Sequence, residues 1–284
     1  MKIAVSGSTG LVGRALQEYL TGEGHTMVLI NRDDFGKGVS HLATKIAGCE
    51  AVINLAGAPI MKRWTHAYKQ RILKSRTETT SMLASAIATT NQKPSVFLSA
   101  SAVGIYQEGK VSSEARPVIG HDFLAEVCRS WELSTAPAEQ YTRVIHMRLG
   151  VVLSGKGGAL TMMLPIFRLA LGGNTGSGKQ PFPWIHINDL TAAVGFLLSR
   201  PELSGPVNVV APGLINNATF SRSLAMALRR PAALAVPAFV LKLLYGEGAV
   251  ALLNAAVVVP EKLIQQGFVF RYPDIQKALD NLVG

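Results

Sequence analysis

Cysteine is nearly absent: Cys49 and Cys128 are the only two in 284 residues, and they lie far apart. That excludes a disulfide framework and any cysteine-based metal spacing, and it fits a reducing compartment. Charge is also sparse, with 16% charged residues against 48% hydrophobic ones, so an intrinsically disordered chain is excluded. Acids are fewer than bases, 18 against 28, and the net charge is +10. That sign suits nucleic acid or an anionic phosphate ligand. The bases are scattered, however, the longest cluster being Lys62-Arg63 followed by Lys69, Arg71, Lys74 and Arg76, and no nucleic-acid module accompanies them. Long apolar runs are missing too. The most membrane-like segment, Ala232 to Val259, is broken by Pro237, Lys242 and Glu247, short of the roughly 18 residues a spanning helix needs. The apolar start ends at Gly7, so no secretory leader is expected. Internal repeats and low-complexity tracts are absent. These absences predict a soluble, cytoplasmic protein with no metal, nucleic-acid or membrane partner, built as a main domain with a small appendage.

What is present begins at the N-terminus. Ile3, Ala4 and Val5 read as a short buried strand, and from Leu11 the spacing Leu11, Ala15, Leu16, Leu20 is helical. Gly7, Gly10 and Gly13 therefore lie at a strand-to-helix junction, with Ser8, Thr9, Leu11 and Val12 between them. Backbone N–H groups at a helix start carry partial positive charge, and glycine lets the main chain approach a pyrophosphate closely. The spacing Gly-x-x-Gly-x-x-Gly differs from the common dinucleotide fingerprint. A glycine turn of this sort also serves tight packing alone, so the dinucleotide reading leans on its place in a strand-turn-helix-strand unit.

Thr26 to Ile30 resumes as a second strand ending at Asn31-Arg32. An acid at this point binds ribose hydroxyls, whereas an arginine pairs with a 2′-phosphate. Here Asn31 stands where the acid is expected and Arg32 supplies a cation, which selects NADP over NAD unless Arg32 is only a solvated loop charge. Ala51 to Asn54 is the next buried strand, and Leu55-Ala56-Gly57 makes a small-residue turn suited to the adenosine half. Thr65 to Thr90 is a long helix, basic in its early part. Ser95 to Ser101 is a strand with hydroxyls, Ser99 among them, towards the carboxyl end, where open parallel sheets hold ligands. A helix from Asp122 to Tyr141 and a strand from Arg143 to Leu149, with Val151 just beyond, complete the alternation of a doubly wound α/β fold.

After Gly150 the glycines multiply, and 172–178 reads as a long mobile connection of substrate-binding type. Trp184 to Leu190 reads as a strand meeting a helix at an Asn or Asp cap. Gly205 to Val210 is a further strand and 219–283 is mostly helical. The chain thus divides into a cofactor-binding core at 1–150, a loop-rich substrate region with returning core strands at 151–218, and a mostly helical C-terminal region at 219–284.

Gly7-x-x-Gly10-x-x-Gly13, Asn54-Leu55-Ala56-Gly57, the run Ser99 to Tyr106 and the run Trp184 to Leu190 together resemble extended short-chain dehydrogenases. Arg63-Trp64-Thr65, Asp122-Phe123-Leu124-Ala125, Phe167 to Gly173 and Pro237 to Leu282 are similar to its atypical branch of epimerase family proteins, relatives of nucleoside-diphosphate-sugar epimerases. The likeness covers essentially the whole chain. It implies a Rossmann-type sheet with a smaller, mostly helical C-terminal substrate or lid region, and an appended domain of unknown role. It also implies NADP as cofactor, held by Gly7, Ser8, Thr9, Gly10, Leu11, Val12, Gly13, Asn31, Arg32, Leu55, Ala56, Gly57, Arg76, Ser99 and Val151. Arg76 falls where typical members have asparagine; it reaches either a cofactor oxygen or a salt bridge to Glu78 or Asp122.

Ser101 matches the family's catalytic hydroxyl residue. The usual Tyr-x-x-x-Lys pair is missing: counting back from Glu132 places Leu124 at the tyrosine and Cys128 at the lysine, and neither can do that acid-base work. Proton transfer would then pass to His186 or Tyr106, each of which has a purely structural reading as well. Two classes of function follow: an NADP-dependent oxidoreductase or epimerase acting on a sugar-like or carbonyl small molecule, or a non-catalytic NADP(H)-binding sensor or scaffold.

Overall fold

A run of short, largely apolar strands is what a sheet covered on both faces requires, and the computed structural model, which describes residues 1–232 and 234–284, has one. In chain order the core elements are β1 (Lys2–Ser6), α1 (Leu11–Gly22), β2 (Thr26–Ile30), α2 (Arg32–Gly36), α3 (Val39–Ile46), β3 (Ala51–Asn54), α4 (His66–Thr89) and β4 (Val96–Ala102). There follow β5 (Val111–Ser112), α5 (Phe123–Leu133), β6 (Arg143–Leu149), β7 (Val151–Leu153), α6 (Gly158–Arg168), β8 (Trp184–His186), α7 (Ile187–Ser199) and β9 (Gly205–Val209). The C-terminal part holds α8 (Asn217–Ala227), α9 (Ala238–Tyr245), α10 (Val250–Leu253), β10 (Val257–Val258), α11 (Glu261–Gln265) and α12 (Ile275–Val283).

Six strands form one parallel sheet in the order β2-β1-β3-β4-β6-β9. Ile30, Ser6, Asn54, Ser99 and His146 stand level across it, so the segments after them emerge along one edge. The order reverses at β1, the switch point where open α/β sheets bind ligands. One face packs against α1 and α7 through Leu16, Leu20, Leu190 and Val194. The other packs against α3 and α4 through Leu42, Ile46, Leu83 and Ile87. A third cluster lies outside the sheet and joins Leu160, Trp184, Phe220, Tyr272, Ile275 and Leu279.

Several local expectations are corrected. Asn31 does not continue β2; it caps α2, its N–H donating to Asp34 at 2.7 Å, and Arg32 opens that helix. The helix begun at Asp122 stops at Leu133, because Pro137 turns the chain into a short 3-10 segment at Ala136–Ala138. α7 is capped by the His186 imidazole, which accepts from Asn188 N–H at 3.0 Å, in place of an Asn or Asp. The glycine-rich connection is tied down: Asn217 accepts from Thr175 N–H at 2.8 Å, and Val236 N–H donates to the Asn174 carbonyl at 2.8 Å. Among the described residues no helix is long and apolar enough to cross a membrane.

Candidate functional site

The glycine loop is shaped by what stands next to it. Gly7 has φ +73°, and a β-carbon on it would come 2.7 Å from the backbone of Leu55 and 2.9 Å from Ala56 N. A β-carbon on Gly13 would overlap the Gly7 carbonyl oxygen and stand 2.7 Å from Ser8 Cα. The loop therefore lies directly against the turn after β3. That turn is fixed in its own right: Asn54 Oδ1 accepts from Ser6 Oγ at 2.5 Å and from Ala56 N–H at 3.2 Å, while its amide donates to Thr80 at 2.8 Å. Gly10, the N-cap of α1, offers no side chain to the first-turn N–H groups, which leaves donors for an anion at the sheet edge. Arg32 is exposed at the end of β2, beside this loop. Dinucleotide chemistry fits these residues: bare helix donors for a pyrophosphate, close backbone approach, and a cation at the ribose end.

Beyond β4 and β6 a cavity of about 300 Å³ opens. Val103 and Gly104 line it after β4, Gly150 and Val151 after β6, and Leu124 and Cys128 on α5. It runs into a larger cleft of about 860 Å³, with Asp122, Leu124, Val250 and Asn254 common to both. Arg76 lies on its inner wall. The guanidinium is buried, donates to the carbonyls of Ile72 and Ala58 at 3.0 Å each, and stacks over Trp131 at 5.0 Å. Neither Glu78 nor Asp122 pairs with it, so the salt-bridge expectation fails. Burial pulls its pKa down, offset only in part by Cys128 and Tyr68 and, among the described residues, by no carboxylate. Ser99 differs: it is buried in β4 and does not line the cavity.

Two of the three candidate proton donors, Ser101 and Tyr106, meet in one network, and His186 lies apart from it. Ser101 Oγ donates to Glu132 at 2.7 Å, and Glu132 makes a bidentate pair with Arg148 at 2.8 Å on both nitrogens. Arg148 also donates to the Tyr106 hydroxyl at 2.9 Å, which in turn donates to Asn208 at 2.7 Å. The Ser101 and Tyr106 protons are thus already committed. Burial raises the Tyr106 pKa further, against the lowering effect of Arg148. His186 is elsewhere, facing a separate cavity with Arg14, Lys156 and Asn281. It stacks on Tyr272 at 3.9 Å, and burial lowers its pKa to about 4. An imidazole held neutral in that way is not the acid matched to neutral pH that the sequence suggested.

Leu124 and Cys128 line the cavity beside Gly104, lying 3.5 and 4.0 Å from a β-carbon built on it. Burial, then the Glu132 charge, push the Cys128 thiol up to about 12. The ion pair of Glu132 and Arg148 was the main feature the sequence reading passed over. Its signal was an arginine next to the end of a strand between two apolar residues, Met147 and Leu149, where a charge needs a buried partner. Burial pushes the Glu132 carboxyl up, but Arg148 and Ser101 outweigh it and hold the pKa below the usual range.

The NAD dependent epimerase/dehydratase family matches residues 3–211, and a domain of unknown function matches residues 236–282. The mouse epimerase family protein SDR39U1 is 36% identical over the whole of both chains. The chloroplastic SDR39U1 homologue of Arabidopsis thaliana is 38% identical, with 98% of this chain and 86% of the relative covered. The crystal structure of human SDR39U1 with NADPH superposes with a TM-score of 0.93 at 33% identity, covering 100% of this chain and 99% of that one. The family match spans the glycine loop and the cavity strands, the relatives cover the C-terminal segment as well, and the chain belongs to the NAD dependent epimerase/dehydratase family.

Proposed function

We propose that this protein binds NADP(H) along the carboxyl edge of β1, β3 and β4 and exchanges hydride between it and a small molecule held beside Leu124 and Cys128. The observation that carries this reading is the glycine loop, wedged against Leu55-Ala56 with an uncapped helix start beside it. The human relative solved with NADPH supports the choice of dinucleotide. Gly7 to Gly13 would take the pyrophosphate, Leu55 to Gly57 the adenosine side, and Arg32 the 2′-phosphate. Arg76 would offer its buried charge to a ribose or phosphate oxygen, and Val151 lines the cavity that receives the reactive end. NADP(H) supplies or accepts the two electrons; the chain's own residues bind, orient and exclude water.

A charge-assisted contact from Arg32 contributes on the order of 1.5 to 3 kcal/mol, a roughly tenfold to hundredfold preference for NADPH over NADH. Fluorescence titration of both cofactors should show that preference, Arg32→Ala should abolish it, and Arg76→Gln should weaken both cofactors without lowering the thermal stability of the cofactor-free protein. Equal affinities in the native protein would overturn the assignment. One observation favours the second reading, a non-catalytic NADP(H) sensor or scaffold: the Ser101 and Tyr106 hydroxyls are closed into the network of Glu132, Arg148 and Asn208. Tight NADPH binding with no oxidation by any carbonyl or nucleotide-sugar substrate would decide for it.

A further inference from the structure

We propose that the acceptor reduced in this cavity is a conjugated dicarbonyl of the quinone class with an apolar body, not a sugar. The inference rests on the NADP(H) reading above and on two features of the site. The first is the wall. Val103, Leu124, Val127, Met163, Phe182 and Ala251 meet around the space beside Gly104, whereas a sugar brings several hydroxyls, each of which loses its water on burial unless a partner replaces it. The carboxyl groups of Glu108 and Asp122 stand at the exposed mouth and are already engaged, one accepting from Asn254 and the other capping α5. The other polar groups of the lining are engaged as well: Arg76 donates to the Ile72 and Ala58 carbonyls, Asn217 Oδ1 accepts from Thr175 N–H, and the Thr175 hydroxyl accepts from Gln180.

The second feature is the lack of an available proton. Among the described residues on the inner wall, the Tyr106 hydroxyl is spent on Asn208, and the Ser101 hydroxyl behind it on Glu132. A simple ketone that takes a hydride becomes an alkoxide, about as basic as hydroxide, whose conjugate acid water has a pKa near 15.7. It needs a proton delivered in the transition state. A quinone that takes a hydride becomes an aromatic hydroquinone monoanion, a phenolate whose conjugate acid sits near 10. It is roughly six orders of magnitude less basic and waits for a proton from solvent. The balance closes: quinone, NADPH and one proton give hydroquinone and NADP⁺, with two electrons moved as hydride and the proton drawn from water through the open cleft. A largely apolar pocket whose hydroxyl protons are committed and whose Arg76 guanidinium is held by the Ile72 and Ala58 carbonyls suits that acceptor and handicaps the alkoxide-forming ones.

The test uses the full chain saturated with NADP⁺, which cannot reduce the probe, and menadione as the quinone. Trp131 lines the cavity, so menadione binding should quench tryptophan fluorescence saturably. Millimolar UDP-glucose should leave the quench unchanged. Leu124→Gln and Met163→Lys, on two different walls, should each weaken menadione at least tenfold while NADP⁺ affinity stays within twofold; two sites guard against one variant misfolding. With NADPH under anaerobic conditions, one hydroquinone should appear per NADPH consumed. NADP⁺ binding without menadione binding, displacement of menadione by UDP-glucose, or binding with no NADPH oxidation would each overturn the proposal and leave the cofactor reading standing. Failure to bind NADP⁺ would overturn both.

Discussion

His186 is fully buried with both ring nitrogens in use: Nδ1 accepts from Asn188 N–H, and Nε2 donates to Asn281. A proton added to Nδ1 would face another N–H and destroy the cap of α7. The unfolded chain takes that proton near pH 6.5, while burial, reinforced by the nearby Arg271 charge, holds the folded pKa at about 4. The folded state is therefore favoured by His186 above pH 6.5, and this contribution is lost as the pH falls from 6.5 to about 4, levelling off below. Its full size is on the order of 3 kcal/mol. His186→Asn keeps an N-cap acceptor and removes the titration. Urea unfolding at pH 7.5 and pH 4.5 should show the native protein losing about 2 kcal/mol more than the variant; equal losses would mean that His186 does not govern the acid limb. Roles at this scale were the least legible in the sequence. Ser101, Tyr106 and His186 have the right chemistry for proton transfer, but whether a hydroxyl or ring proton is free depends on partners 31, 102 and 95 residues away, which no local pattern encodes.

Elements were more legible, because a strand or helix is specified by its own periodicity and ends. β1, α1, β3, α4, β4 and β6 fall where the apolar spacing places them, and Thr65 caps α4 by accepting from Tyr68 N–H. α2 was missed because it is only five residues long and polar at its start, too short for a periodicity to show. The junction of β1 and α1 carries a prediction in which two effects oppose. Alanine is favoured over glycine inside a helix by about 1 kcal/mol, yet at Gly13 its methyl would meet the Gly7 carbonyl and Ser8 backbone, neither of which can rotate away. Overpacking against backbone costs about 1 to 3 kcal/mol, so Gly13→Ala should lower thermal stability and weaken NADPH binding at least tenfold. Gly22→Ala, at the open end of the same helix with nothing within 4 Å of the new methyl, should be neutral or stabilising. If the two variants melt alike, the close approach at Gly13 is not a constraint.

At the scale of the whole molecule, the alternation of strands and helices foretold a parallel sheet, but not which strand lies beside which. β8 reads much like β9 in sequence, yet it leaves the main sheet to pair with β7, while β9 closes the edge beside β6. That choice gives Trp184 to the third apolar cluster, where it meets the C-terminal helix. The segment matched at 236–282 is consequently built into the fold. Tyr272, Ile275, Ala278 and Leu279 are buried in the same cluster as Leu160, Phe220 and Leu224. Glu114 accepts from Asn208 N–H in β9 and Glu261 N–H at the start of α11, and Asp189 accepts from the N–H groups of Arg271 and Tyr272. A chain ending at residue 235 would take both N–H donors from Asp189 and the Glu261 N–H from Glu114, which would keep Asn208 N–H. It would also strip the cover from α8 and from β9: each large apolar side chain taken from burial to water costs about 1.5 to 3 kcal/mol, so the burial lost with Leu263, Tyr272, Ile275 and Leu279 approaches the roughly 5 to 15 kcal/mol by which a domain is stable at all. The truncated chain should therefore show no cooperative melting transition, be cleaved rapidly by trypsin and fail to bind NADPH. A truncated chain that melts cooperatively and binds NADPH would show instead that the C-terminal segment is an independent addition to a self-sufficient core.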